Sequence, residues 1–270
     1  MQVRIAFFTN PMVDRALKPP TVRLVCKYNT AAANILGGQR GVKQIEEENA
    51  PALLVAYPFL GGFLKEQDTY IYRDWVLDSG AFSAWNRGTK IELKDYIDTC
   101  KELLDSERPP TEMFALDVIG EWEPSLENCE KMWKAGVQAI PTFHYGSPWH
   151  VLDKVCAEYP KIALGGIAKL HGEKRYRFME QVFARAWPKK IHGFGVGEEK
   201  GTLQVPWHSV DSTVWELLPC AFGRWKNYGN ISIRGTHQDL RSEVEWFLEL
   251  ERKAQWKWRK EMKVLEGLDS

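Results

Sequence analysis

Short apolar runs alternate with amphipathic runs along almost the whole chain, and no other feature of the sequence narrows the possible folds as far. Such an order is the mark of repeated strand–helix units around a parallel sheet. Eight runs read as strands: residues 3–8, 52–56, 75–78, 113–117, 138–143, 161–164, 191–194 and 207–211. Between them, Leu93, Tyr96, Ile97, Cys100, Leu103 and Leu104 fall on one stripe of a 3.6-residue period. Val151, Leu152, Val155 and Cys156 repeat the pattern behind a Ser147-Pro148 helix start, as do Tyr176, Met179, Val182, Phe183 and Ala186 ahead of Pro188. Residues 237–263 form the longest helical run, with Trp246, Leu250, Ala254 and Trp258 spaced by four as a packing stripe that braces the rest. Eight such units predict an α/β fold, a (β/α)8 TIM barrel, and 270 residues suit one such domain. Segment 10–50 carries no clear pattern and reads as an excursion between the first two strands.

Bulk properties remove several classes. No apolar run approaches the ~20 residues of a spanning helix, and the N-terminus lacks a cleavage site for a signal peptide, so a cytoplasmic protein without a membrane partner is expected. Cys26, Cys100, Cys129, Cys156 and Cys220 are odd in number and contain no C-x-x-C pair, which reads as buried thiols and no metal site. Formal net charge is zero, so any nucleic-acid affinity has to be local. Residues 220–263 hold ten Lys/Arg against six Asp/Glu; Arg224, Lys226, Arg234 and Arg241 are the phosphate-contact candidates there.

In a TIM barrel the chemistry lies at the C-terminal ends of the strands. Asp78, Asp117, His144 and Asp211 all follow predicted strands, and Gly165-Gly166 and Gly195-Val196-Gly197 close two more. A single aspartate after a strand is more often a turn former or helix cap. Three carboxylates, an imidazole and two glycine turns on one rim point to a site. A carboxylate matches the paired N1–H and N2–H donors of a guanine edge, and a histidine or backbone N–H can donate to its O6. Asp117 and His144 suit those two roles, Gly165 and Gly166 permit close approach of a flat ligand, and Phe82 and Phe194 either sandwich a base or simply pack. The Thr213-x-x-Glu216 spacing predicts a capping box beside Asp211 that would keep it ionised. Trp85, Trp122 and Trp149 follow strand ends and are expected to pack loops, with a wedge into a duplex as the alternative.

Asp78-Ser79-Gly80-Ala81-Phe82, Phe114-Ala115-Leu116-Asp117, Ala163-Leu164-Gly165-Gly166-Ile167-Ala168, Phe194-Gly195-Val196-Gly197 and Ser209-Val210-Asp211 occur in one order. Tyr228-Gly229-Asn230-Ile231-Ser232-Ile233-Arg234 follows them. This ordered set, over residues 70–235, resembles the motifs of the tRNA-guanine transglycosylases, (β/α)8 barrels that exchange a guanine in a polynucleotide for a 7-deazaguanine. The resemblance implies that Asp211 is the nucleophile on the sugar C1′ and Asp78 the general acid/base. It further implies that Asp117, with Ser79 and Gly195 near the base, recognises guanine, that Gly165 and Gly166 donate backbone contacts, and that Phe82 and Phe194 stack.

Three departures refine the expectation. The zinc cluster of the tRNA enzymes has no counterpart here, since the last third of the chain holds only Cys220. The short form is similar to the phage-encoded DNA-guanine transglycosylases, which implies DNA and a free 7-deazaguanine base as partners and no cofactor. His144 stands where the tRNA enzymes have glutamine. Lys169 follows Gly-Gly-Ile-Ala where enzymes taking an aminomethyl base place an acid, and a lysine favours a neutral 7-cyano base. The alternatives are a zinc-independent tRNA-guanine transglycosylase, a non-catalytic nucleic-acid-binding barrel, and a hydrolase on the same fold.

Overall fold

The computed structural model describes residues 21–26, 50–69, 72–226, 229–230 and 240–267. Eight strands make one parallel sheet in the order β4-β3-β2-β1-β8-β7-β6-β5. They are β1 (Thr21–Cys26), β2 (Ala52–Ala56), β3 (Trp75–Asp78), β4 (Glu112–Met113), β5 (Thr142–His144), β6 (Lys161–Gly165), β7 (Lys190–Gly193) and β8 (Ser209–Ser212). The two sheet edges meet at a parallel bridge between Phe114 and Ile140, where Ala115 N–H donates to Ile140 O at 2.9 Å and Ile140 N–H to Met113 O at 2.8 Å. The sheet thereby closes on itself, with helices between successive strands from β2 to β8: a (β/α)8 barrel.

The first strand differs from the sequence expectation. β1 pairs with β2 through Leu24 and Leu53 and with β8 through Arg23 and Asp211, so residues 21–26, not 3–8, fill the place between those strands. Residues 3–8 lie outside the described residues. The disguise is physical: Arg23 points into the barrel, where its Nη1 donates to Asp74 at 2.8 Å, and a charge inside a strand reads as a loop. β4 and β5 are also shorter than expected, so Asp117 lies on the loop beyond β4.

The barrel interior is layered. Across its floor, Arg23 reaches Asp74 and, at 3.9 Å, Glu112, while Lys161 Nζ donates to both Glu112 oxygens at 2.7 Å. The charges of Lys161 and Arg23 overcome burial and hold the Glu112 carboxyl down at about 2. Above this layer, Leu54, Val76, Phe114, Ile140 and Ala163 form an apolar plug with Phe194 packed against it. The strand ends come next and carry the site. Outside the strands, the helices bury the stripes that their periodicity indicates: Tyr96, Cys100 and Leu103 in Leu93–Leu104, and Phe178, Met179, Val182, Phe183 and Ala186 in Gly172–Ala186. Leu104 departs from its stripe and is about half exposed.

Helix Leu240–Lys257 packs against β1 and the helices next to it, burying Val244, Phe247, Leu248, Leu250 and Ala254. Arg73, just before β3, donates to both Glu251 oxygens at 2.8 and 3.0 Å and pins this helix to the barrel. The expected single helix over 237–263 is broken at Trp258, where a second helix, Arg259–Leu265, begins. Trp246 is only half-buried against the core. Helix Trp149–Glu158 is capped by Pro148 with extended backbone, not by Ser147, whose N–H turns back to His144 O at 3.0 Å. Among the described residues no helix is long and apolar enough to cross a membrane.

Candidate active site

The stretch that carries Asp78 shows how local sequence builds the rim. β3 delivers an apolar Trp75-Val76-Leu77 into the core and ends on Asp78. The chain then reverses through Gly80 at φ +71°, where a Cβ would stand 2.3 Å from Pro58 Cδ, so both the conformation and the space demand glycine. Gly80 N–H donates to Asp78 Oδ2 at 3.1 Å and Gly80 O starts the next helix by accepting from Ala84 N–H. The carboxylate is thus fixed by the turn it initiates.

Asp78 does not stand alone. Burial and the neighbouring charge of Asp211, with a smaller push from Asp117, raise its carboxyl up to about 7 against the Gly80 hydrogen bond. Asp78 therefore lies within the electrostatic reach of both Asp211 and Asp117. On β8, Asp211 is buried; its Oδ1 accepts from Gly195 N–H at 2.8 Å and lies 3.5 Å from His192 Nε2. Burial raises Asp211 up to about 6, opposed by the Gly195 hydrogen bond and the charge of Arg23.

The expected capping box does not hold Asp211. Thr213 makes no side-chain cap bond; Ser212 Oγ accepts from Val214 N–H at 3.0 Å instead, and the dominant influence on Asp211 is desolvation. Ser212 also explains Gly197, where a Cβ would fall 2.1 Å from the serine oxygen.

Asp117 and His144 form a pair across the rim, with His144 Nε2 3.2 Å from Asp117 Oδ2. Burial lowers the imidazole pKa, but the adjacent carboxylate more than offsets this and leaves it above its usual value. Asp117 Oδ1 is buried with no hydrogen-bond partner, and so is Thr142 Oγ1, two residues before His144 on β5. Buried polar atoms without partners are rare, and here they sit beside a pair of adjacent glycines. A Cβ on Gly165 would lie 2.8 Å from both His144 Cδ2 and Thr142 Cγ2, and Gly166 runs at φ +74° against the Tyr145 backbone. Ser79, next to Asp78, is buried.

The aromatic candidates separate. Phe194 is half-buried, 4.8 Å from the Phe114 ring and 4.8 Å from the His192 ring, at the floor of the mouth. Phe82 is 52% exposed on the rim helix Ala81–Asn86 and stacks on Trp85 at 6.1 Å, with Lys169 Nζ over both rings. Trp149 packs on Phe143 and Phe178, and Trp122 edges onto His150, so both pack among strands and helices and not on loops. Trp85 is 53% exposed.

Of the basic candidates, Arg224 and Lys226 are described. The Arg224 guanidinium lies over Phe222, and Lys226 Nζ lies 4.7 Å from the Trp246 ring. Arg234 and the Arg241 side chain lie outside the described residues. Cys100 and Cys129 are buried and Cys156 half-buried, with burial raising their thiols to about 12, 12 and 11. Among the described residues no group of three or more His, Cys, Asp or Glu side chains is placed to hold a metal ion.

His192 and Lys161, polar residues below Asp211, escaped the sequence reading, and Ser209 entered it only as part of the Ser209-Val210-Asp211 motif. His192 is fully buried and its Nδ1 lies 2.9 Å from Ser209 Oγ, which accepts from Lys161 Nζ at 3.3 Å. Strand alternation held the signal, because His192 sits two residues before Phe194 and Ser209 two before Asp211, on the inward face.

Comparison with known proteins adds little beyond this geometry. No family model and no curated protein matches the chain. Among solved structures, the carboxyl transferase domain of Rhizobium etli pyruvate carboxylase, with pyruvate, aligns at 10% identity and TM-score 0.48 over 95% of this chain and 50% of that one. This chain thus spans half the length of that match. A tryptophan synthase alpha-subunit from Pyrococcus furiosus aligns at 9% identity and TM-score 0.47 over 84% and 96% of the two chains.

Proposed function

We propose that the chain is a DNA-guanine transglycosylase that exchanges guanine for a 7-deazaguanine through a covalent intermediate on Asp211. One observation carries the reading: Asp78, at the end of β3, feels the charges of both Asp211 and Asp117, both Asp78 and Asp211 have carboxyls raised by burial, and an Asp117 oxygen lacks a donor. The sequence resemblance supports the choice of substrate.

The chemistry follows from those groups. An Asp211 carboxylate oxygen bonds to C1′ as the C1′–N9 bond breaks, and the electron pair passes to the departing purine. Asp78, the weaker acid of the two, supplies the proton that the purine takes up. The incoming base then gives a proton to Asp78, its nitrogen attacks C1′, and Asp211 leaves as carboxylate, so the anomeric configuration is retained. Since Gly195 N–H engages Asp211 Oδ1, Oδ2 is the attacking oxygen. Asp117 Oδ1 accepts from the guanine amino edge, and His144 donates to O6. Lys169, seated on Phe82 and Trp85, places a positive charge on the rim, which suits a 7-cyano base better than an aminomethyl one.

Incubation with duplex DNA or tRNA and a labelled 7-cyano-7-deazaguanine tests this. Label in DNA with release of guanine is expected. Label in tRNA alone would reassign the substrate, and label in neither would reject exchange.

A further inference from the structure

Asp211 is approached from below by a chain of polar groups running through the barrel. Lys161 Nζ has only protons to offer, and one goes to Ser209 Oγ at 3.3 Å. Ser209 lies 2.9 Å from His192 Nδ1, and His192 Nε2 lies 3.5 Å from Asp211 Oδ1. The His192 ring is fully buried and wedged between Phe114, at 4.6 Å, and Phe194, at 4.8 Å.

Only one arrangement of protons satisfies this chain. With Lys161 donating to Ser209, the serine hydroxyl is free to donate to Nδ1, which places the imidazole proton on Nε2, facing the Asp211 carboxylate. The other tautomer would set a bare Nε2 lone pair against a carboxylate oxygen and leave the serine proton without an acceptor. Burial, together with the positive charges of Lys161 and Arg23, pushes the His192 pKa well below its usual value, so the ring is neutral.

We propose that His192 is a positioning residue for Asp211, its Nε2–H aimed at Oδ1 by the one-way chain from Lys161 through Ser209. The proposal rests on the reading of Asp211 as the nucleophile. Nε2 has no hydrogen bond as it stands, and catalytic contacts of this length close when substrate is bound. Together with Gly195 N–H it would hold Oδ1 from two sides, turning Oδ2 toward C1′ and stabilising the carboxylate each time it is released. His192 touches neither sugar nor base; its effect passes through Asp211.

Nitrogen-15 NMR of the imidazoles in the full 270-residue chain gives the first test, with Nε2–H expected for His192 at pH 7, where Lys161 is still charged. An Nδ1–H tautomer or an imidazolium there would overturn the proposal. Ser209→Ala, a small change, is expected to release the tautomer preference, and an unchanged Nε2–H spectrum in that variant would break the chain at Ser209. The second test follows the Asp211 carboxyl by carbon-13 NMR alongside exchange kinetics. His192→Phe should raise the Asp211 titration and lower kcat ~10-fold with KM for the free base unchanged. His192→Gln, whose amide N–H can take the Nε2 position, should recover most of both. An Asp211 titration that ignores His192→Phe would overturn the proposal. A wild-type protein that exchanges no guanine, while Asp211 still responds to His192, would reject the proposed function and leave the positioning role standing.

Discussion

At the residue scale, the proposed function gives Asp78 and Asp211 different tasks. Their carboxyls stand at about 7 and about 6, so the form with Asp211 ionised and Asp78 protonated dominates between those limits. Because the two groups interact, the values belong to the pair. The kcat/KM for DNA is therefore expected to be bell-shaped, falling below about pH 6 as Asp211 takes up a proton and above about pH 7 as Asp78 loses its own. A profile flat from pH 5 to 9 would contradict these roles. Stability should run the other way from activity. The folded pKa of Asp78 lies above the ordinary 3.8, so its favourable contribution is complete below that pH and is lost as pH rises through about 7. Asp78→Asn is accordingly expected to abolish exchange yet to stabilise the fold at pH 8 by ~2 kcal/mol, with the gain vanishing near pH 4, as read by urea denaturation. The aspartate would then be present at a cost to stability, as functional groups often are.

At the element scale, the site depends on how β5 and β6 sit together. Gly165 lies opposite His144, and the space a Cβ would need is filled by His144 and Thr142. Gly165→Ala should push the imidazole off Asp117 and raise KM for the free base ~10-fold or more, with a stability loss of ~1–3 kcal/mol from overpacking. Thermal melts and base-exchange kinetics read the two effects, and an unchanged KM would show that the His144–Asp117 pair does not face the base. Elements also show what the sequence made legible. β2, β3 and β6 are apolar, bounded by breakers and plain to read, and so were the acids that end β3 and β8. β1 was not, because Arg23 sits where an apolar residue would be expected, neutralised by Asp74 in the interior. The same charged layer hid Lys161 and His192, since pattern alone places a lysine or histidine in a strand at the surface. Thr213 misled in the opposite sense: its spacing to Glu216 is that of a capping box, but the bond is made by Ser212.

At the scale of the whole molecule, a polar floor, an apolar plug and an acidic mouth are stacked along one barrel axis. The plug of Leu54, Val76, Phe114, Ile140 and Ala163 separates the paired charges below from the carboxylates above. His192 links the two polar layers, through Ser209 below and Asp211 above. Burial raises the pKa values of Asp78 and Asp211; Asp78 ends β3, His144 ends β5, and the loop beyond β4 brings Asp117 to His144. Helix Leu240–Lys257 closes the outside of β1. The most direct measurement is to quench the protein with duplex DNA under denaturing conditions and map any covalent adduct by mass spectrometry. A deoxyribosyl adduct on Asp211, absent in Asp211→Ala, is the predicted result. An adduct on another residue, or guanine exchange that persists in Asp211→Ala, would contradict it.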